Sequence, residues 1–116
     1  MDRSGGGVHE LAVIQAVVDQ VAERLGDQRI TAIHLSVGRL SGVVPDALRF
    51  CFELTTSGTS MDGAELTIEE PVGEGHCRSC GRDFEIDQPL VLCPCGSADV
   101  AVVGGDQLLI RWVGLA

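Results

Sequence analysis

Between Cys77 and Gly96 the chain reads CRSCGRDFEIDQPLVLCPCG, two tight cysteine pairs, each followed by a glycine. Thiolates carried on paired turns converge on one tetrahedral ion, and the twelve residues between the pairs suffice for a hairpin-like excursion that brings the turns together. Cys77, Cys80, Cys93 and Cys95 are therefore the expected zinc ligands, with a disulfide pair or unligated thiols as the other readings. Gly81 and Gly96 fall where a metal-holding turn often needs a positive φ. Cys93-Pro94-Cys95 is one residue shorter than Cys77-Arg78-Ser79-Cys80, which predicts a tighter turn with strained ligation. His76 reads as a surface residue by default; a substitute zinc ligand and a transient metal contact are the other roles open to it.

Compartment and charge narrow the class. Residues 1–7 are polar and glycine-rich, with no apolar run that would serve as a signal peptide or membrane span, so a cytoplasmic protein is expected. There, clustered cysteines are more often metal ligands than disulfides. The fifth cysteine, Cys51, falls in the helical series Leu48, Cys51, Phe52, Thr55 and reads as core. A formal net charge of -9 over 116 residues, with no basic stripe, argues against a nucleic-acid partner.

Outward from the cysteines, the flanks read as one small α/β fold. Leu11, Ile14, Val17, Val18, Val21 and Leu25 recur at helical intervals, and Gly26 offers a left-handed end. Thr31 to Val37 alternates Ile33, Leu35 and Val37 against His34 and Ser36, a half-buried strand on which His34 is exposed or partly covered. Gly38 to Val44 is a connection, and Pro45 opens a second helix running to about Ser57. Ala64 to Glu70 and Gln107 to Val113 alternate as two further strands, the second setting Leu108, Ile110 and Trp112 against Leu109, Arg111 and Val113. The expected architecture is a three-stranded sheet with two helices over one face, plus an inserted zinc-binding module. Residues 1–72 and 104–116 form the α/β domain and 73–103 the module.

Three features together, His9-Glu10-Leu11 opening the first helix, the run Val37-Gly38-Arg39-Leu40-Ser41-Gly42-Val43-Val44-Pro45-Asp46-Ala47-Leu48-Arg49-Phe50, and the paired cysteines ending in Cys95-Gly96-Ser97, resemble the HypA/HybF family from Val8 nearly to the end. That resemblance implies a nickel metallochaperone of nickel-iron hydrogenase maturation, with urease as a further client. It implies Ni(II) as transient cargo at His9 and Glu10, and zinc as a structural metal. Its partners would be the GTPase of nickel delivery and the hydrogenase large-subunit precursor, with neither nucleic acid nor membrane involved. In the family, the residues matching His9 and Glu10 directly follow the initiator methionine. The free amine, adjacent backbone amides and imidazole then form a nitrogen-rich square-planar set that suits Ni(II). Here seven residues precede Val8, so an amine at Met1 is too far away to close those chelate rings. Eight Arg with no Lys, Asn or Tyr point to GC-rich coding, in which GTG, read as valine inside a gene, is a frequent start. A start at Val8 is accordingly expected. Val44 stands where some relatives offer a carboxylate, and Asp46 reads as a first-turn helix acid; neither is counted as a ligand.

No nucleophile-base arrangement, phosphate loop or acid-base carboxylate pair stands out, so no enzymatic activity is expected. The competing readings are a zinc-ribbon interaction module without nickel transfer and a thiol redox protein using Cys77 and Cys80.

Overall fold

The computed structural model describes residues 4–88 and 90–116, with side chains from His9 onward; Met1, whose amine enters the nickel argument, lies outside the described residues. The elements in chain order are α1 (Ser4–Leu25), β1 (Ile30–Val37), a short 3-10 turn (Arg39–Ser41), α2 (Pro45–Thr56), β2 (Glu65–Glu69), β3 (Gly73–Cys77), β4 (Asp83–Ile86), β5 (Val100–Gly104) and β6 (Leu108–Leu115). They gather into two compact units. The first takes residues up to Leu35, Val43–Ile68 and Ile110–Ala116; the second takes Ser36–Gly42 and Glu69–Leu109. The cysteine-bearing unit is thus larger than residues 73–103, because chain on either side of that segment, and the 36–42 connection, belong with it.

In the first unit the strands are ordered β2-β1-β6. Backbone bonds from Gly38 to Gln107 and from Ala116 to Arg29 show that β6 runs antiparallel to β1. Helices α1 and α2 pack on each other, and the core is Ile14, Val17, Val18 and Val21 from α1, Ile30, Ile33 and Leu35 from β1, and Leu48, Cys51 and Phe52 from α2. Gly26 at φ 60 ends α1, its amide bonded to the Ala22 carbonyl, and Pro45 occupies the first turn of α2.

Three expected positions shift. Leu11 is exposed, and Glu10 occupies the inward stripe with Ile14, Val17 and Val21, at steps of four, three and four residues. Thr55 is half-buried, while Thr56 is buried and returns its hydroxyl to the Phe52 carbonyl at 2.7 Å. In β6, burial alternates only to Arg111, after which Val113 and not Trp112 is the more covered residue.

The second unit holds a sheet ordered β4-β3-β5, both neighbours antiparallel to β3. Its other end is a crossing of backbones: Arg39 N–H bonds to the Pro71 carbonyl at 3.0 Å and Leu40 N–H to the Gly105 carbonyl at 2.9 Å. Gly105, at φ 79, presses against Val72 and Gly73 so closely that a Cβ there would overlap their backbone atoms. Gly105→Ala combines a left-handed cost of about 1–2 kcal/mol with an overpacking cost of about 1–3 kcal/mol. A loss of more than about 2 kcal/mol is expected in denaturant titration followed on this unit; a neutral result would show that the crossing can relax.

Candidate metal centre

The four paired cysteines meet at one point. Cys77 is the last residue of β3 and Cys80 lies in the turn to β4, while Cys93 and Cys95 lie in the turn before β5. All four sulfurs lie within 4.8 Å of one another, with Cys77 Sγ 3.7 Å from Cys95 Sγ and Cys80 Sγ 3.6 Å from Cys93 Sγ. Four sulfurs about 2.3 Å from a tetrahedral zinc stand roughly 3.8 Å apart, whereas a disulfide would bring two of them to about 2.0 Å. The spacing fits an ion and excludes the disulfide reading for the folded chain. Cys77 and Cys93 are buried and Cys80 and Cys95 exposed, so one side of the site is walled by protein.

The turns build this geometry locally. In the longer pair the Cys80 amide donates to Cys77 Sγ at 3.4 Å and the Gly81 amide to the Cys77 carbonyl at 2.8 Å. In the shorter pair the Cys95 amide donates to Cys93 Sγ at 3.4 Å and the Gly96 amide to the Cys93 carbonyl at 2.8 Å. The Cys-Pro-Cys turn thus delivers both sulfurs and an N–H to sulfur as the longer one does. Gly81 and Gly96 take φ of 77 and 98, the left-handed conformations expected of them.

Electrostatics call for a cation. The Cys80 amide lowers the Cys77 thiol to about 6 against the opposing effect of burial, while burial pushes the Cys93 thiol up to about 12. Four adjoining thiols cannot all ionise unaided; a divalent ion removes that conflict, since a coordinated thiol is deprotonated outright. The residues present therefore fit structural zinc, which would be held by all four sulfurs with no open position for chemistry.

Two tethers between the turns were not foreseen from the sequence: Ser79 and Ser97 join through their hydroxyls at 2.8 Å, and Arg78 pairs with Asp99 at 2.8 Å. The only sequence signal is that each serine stands two residues beyond a ligand. His76 stands apart from the sulfur cluster, its Nδ1 2.7 Å from Asp83 Oδ1. Cys51 is buried in the first unit.

His9 and Glu10 lie in α1 of the first unit and diverge. His9 is exposed, and Glu10 is fully buried, its Oε2 accepting the Val44 amide at 2.6 Å while Oε1 has no partner. On the sheet, half-buried His34 meets Thr67 Oγ1 at 2.6 Å through Nδ1 and stacks on Trp112 with ring centroids 5.3 Å apart.

A two-helix α/β unit and a second unit closed by a four-sulfur site define a small metal-handling protein. Known proteins agree. The family model described as "Hydrogenase/urease nickel incorporation, metallochaperone, hypA" matches residues 8–115. The hydrogenase maturation factor HypA of Geobacter metallireducens is 42% identical over 105 residues, covering 90% of this chain and 96% of the relative. That of Streptomyces avermitilis is 44% identical over 109 residues, covering 89% and 83%. The solution structure of the Ni metallochaperone HypA from Helicobacter pylori superposes with a TM-score of 0.63 at 17% identity, covering 91% of this chain and 96% of that one, which is a likeness of fold. The chain belongs to the HypA family, the nickel metallochaperones of hydrogenase maturation. Among the described residues no helix is long and apolar enough to cross a membrane.

Proposed function

We propose that this protein is a non-enzymatic, cytoplasmic carrier of Ni(II) that binds the ion at His9 and the backbone nitrogen of Glu10. It passes the ion on to the large-subunit precursor of a nickel-iron hydrogenase in concert with the GTPase of nickel delivery, and urease is a second client. The observation that carries this reading is the exposed imidazole of His9 near the start of α1, in a chain whose family match begins one residue earlier. The four-sulfur site supports it by taking no part in transfer: a closed tetrahedral set holds a fold together and leaves no ligand position for cargo. An imidazole with deprotonated amide nitrogens suits Ni(II). Because helix α1 begins at Ser4, the amides at His9 and Glu10 fall within helix, so this ligation needs the helix start to unwind or the chain to begin nearer His9.

Nickel titration tests the reading on two forms, residues 1–116 and a shorter chain in which methionine replaces Val8 and nothing precedes it, each with a His9→Ala control. One Ni(II) per chain in the shorter form, lost on His9→Ala, is the expected result. If neither form takes up nickel, the proposal fails, and a zinc-dependent interaction module becomes the better account.

A further inference from the structure

Glu10 is the one buried carboxylate in the described residues and has the one buried side-chain oxygen without a hydrogen-bond partner. Burying such a group is costly unless its neighbours compensate. The compensation comes from α2. Val44 is the N-cap of that helix and supplies no side-chain cap, and Pro45 after it has no N–H. Glu10 reaches across from α1 to take the Val44 amide at 2.6 Å, at the positive end of a 12-residue helix. It fills, from a different element, the role of the N3 glutamate in a capping box, which accepts the N-cap residue's own amide. Successive residues of a helix point about 100° apart, so a Glu10 held inward turns His9 outward. The burial pattern records this, with Glu10 inside and His9 exposed.

We infer that the Glu10 carboxylate is a positioning residue for nickel binding, a latch from α1 to the N-cap of α2 that fixes the outward setting of His9, and that it does not ligate the metal. This rests on the nickel reading above. A carboxylate committed to the core and to the Val44 amide is not free to face an ion beside His9. Groups that hold a metal ligand from behind commonly alter affinity by about 10–100-fold when removed.

Glu10→Gln and Glu10→Ala separate a latch from a ligand, and both keep the Glu10 backbone nitrogen. Each is compared with the native chain, in the two forms used for titration, by the exchange protection of the Val44 amide before nickel is added, by nickel affinity and by the nickel absorption spectrum. Glutamine keeps an acceptor oxygen at the same reach. It is expected to preserve Val44 protection, the native spectrum and an affinity within about threefold, whereas alanine loses the protection and about 10–100-fold in affinity. If Glu10→Gln changes the spectrum, or weakens nickel as much as alanine does, while Val44 stays protected, the carboxylate is a ligand and the inference is overturned. It is equally overturned if alanine frees the Val44 amide without weakening nickel. Should Glu10→Ala not fold, the glutamine variant carries the test alone: a changed spectrum, or an affinity loss of about tenfold or more while Val44 stays protected, overturns the inference. Failure of the native chain to bind nickel overturns the nickel reading and the positioning role with it, and is told apart because the Val44 amide is measured without metal.

Discussion

Chelating the metal from Cys77, Cys80, Cys93 and Cys95 is expected to unfold the cysteine-bearing unit, the largest single effect available in this chain. Among the described residues of that unit the buried apolar side chains are Val37, Cys77, Ile86 and Cys93, two of them the expected ligands. Leu90, Leu92, Val102 and Val103 are exposed. A buried valine and a buried isoleucine contribute only about 1.5–3 kcal/mol each, far short of the cost of ordering the unit's residues at about 1 kcal/mol or more each. Structural zinc in small modules supplies on the order of 10 kcal/mol, which makes the ion the main tie among the strands β3, β4 and β5. Amide exchange before and after chelation, read at Arg78, Gly81 and Gly96, should show protection lost with the metal, at a stoichiometry near one zinc per chain. Cys77→Ser, at the most deeply buried ligand, should act in the same direction. Protection that survives complete metal removal would mean that hydrogen bonding and the crossing at Gly105 hold this unit by themselves.

Leu48→Ala should produce the second large loss, in the other unit. Leu48 is fully buried on the inner face of α2, and truncating such a side chain costs about 2–5 kcal/mol, a large share of the 5–15 kcal/mol that typically holds a domain. Phe50→Ala, two residues along the same helix, is the control: Phe50 is 63% exposed, and a change there is expected to stay within about 0.5 kcal/mol. Denaturation midpoints of the two variants, each checked for unchanged zinc content, decide it. Equal losses would mean that the outer face of α2 is as structurally committed as the inner one.

Much of this was legible because it is local. The cysteine spacing with its trailing glycines gave the metal turns, since ligand geometry and a positive φ are properties of a few adjacent residues. Periodicity gave α1, α2 and the strands β1, β2 and β6, and Pro45 and Gly26 marked their ends. The strands β3, β4 and β5 were not legible. Gly73-Glu74-Gly75-His76-Cys77 has almost no strand propensity, and it is a strand because β4 and β5 pair with it on both sides. Gly75 is crowded there: a Cβ would lie 2.8 Å from Ile86 Cδ1 and 3.0 Å from Val100 Cγ1, so those side chains would have to shift to admit one.

The sequence alone thus determined which four cysteines gather into a zinc-type site, which faces of the helices turn inward within one position, and the family to which the chain belongs. Only the tertiary structure decided that Glu10 and not Leu11 completes the inner face of α1, that residues 36–42 belong with the cysteine-bearing unit, and that Glu10 and His9 part company. Ligand spacing and helical period are encoded between near neighbours, whereas the Val44 amide that draws Glu10 inward stands 34 residues away along the chain and meets it only once α1 and α2 have packed.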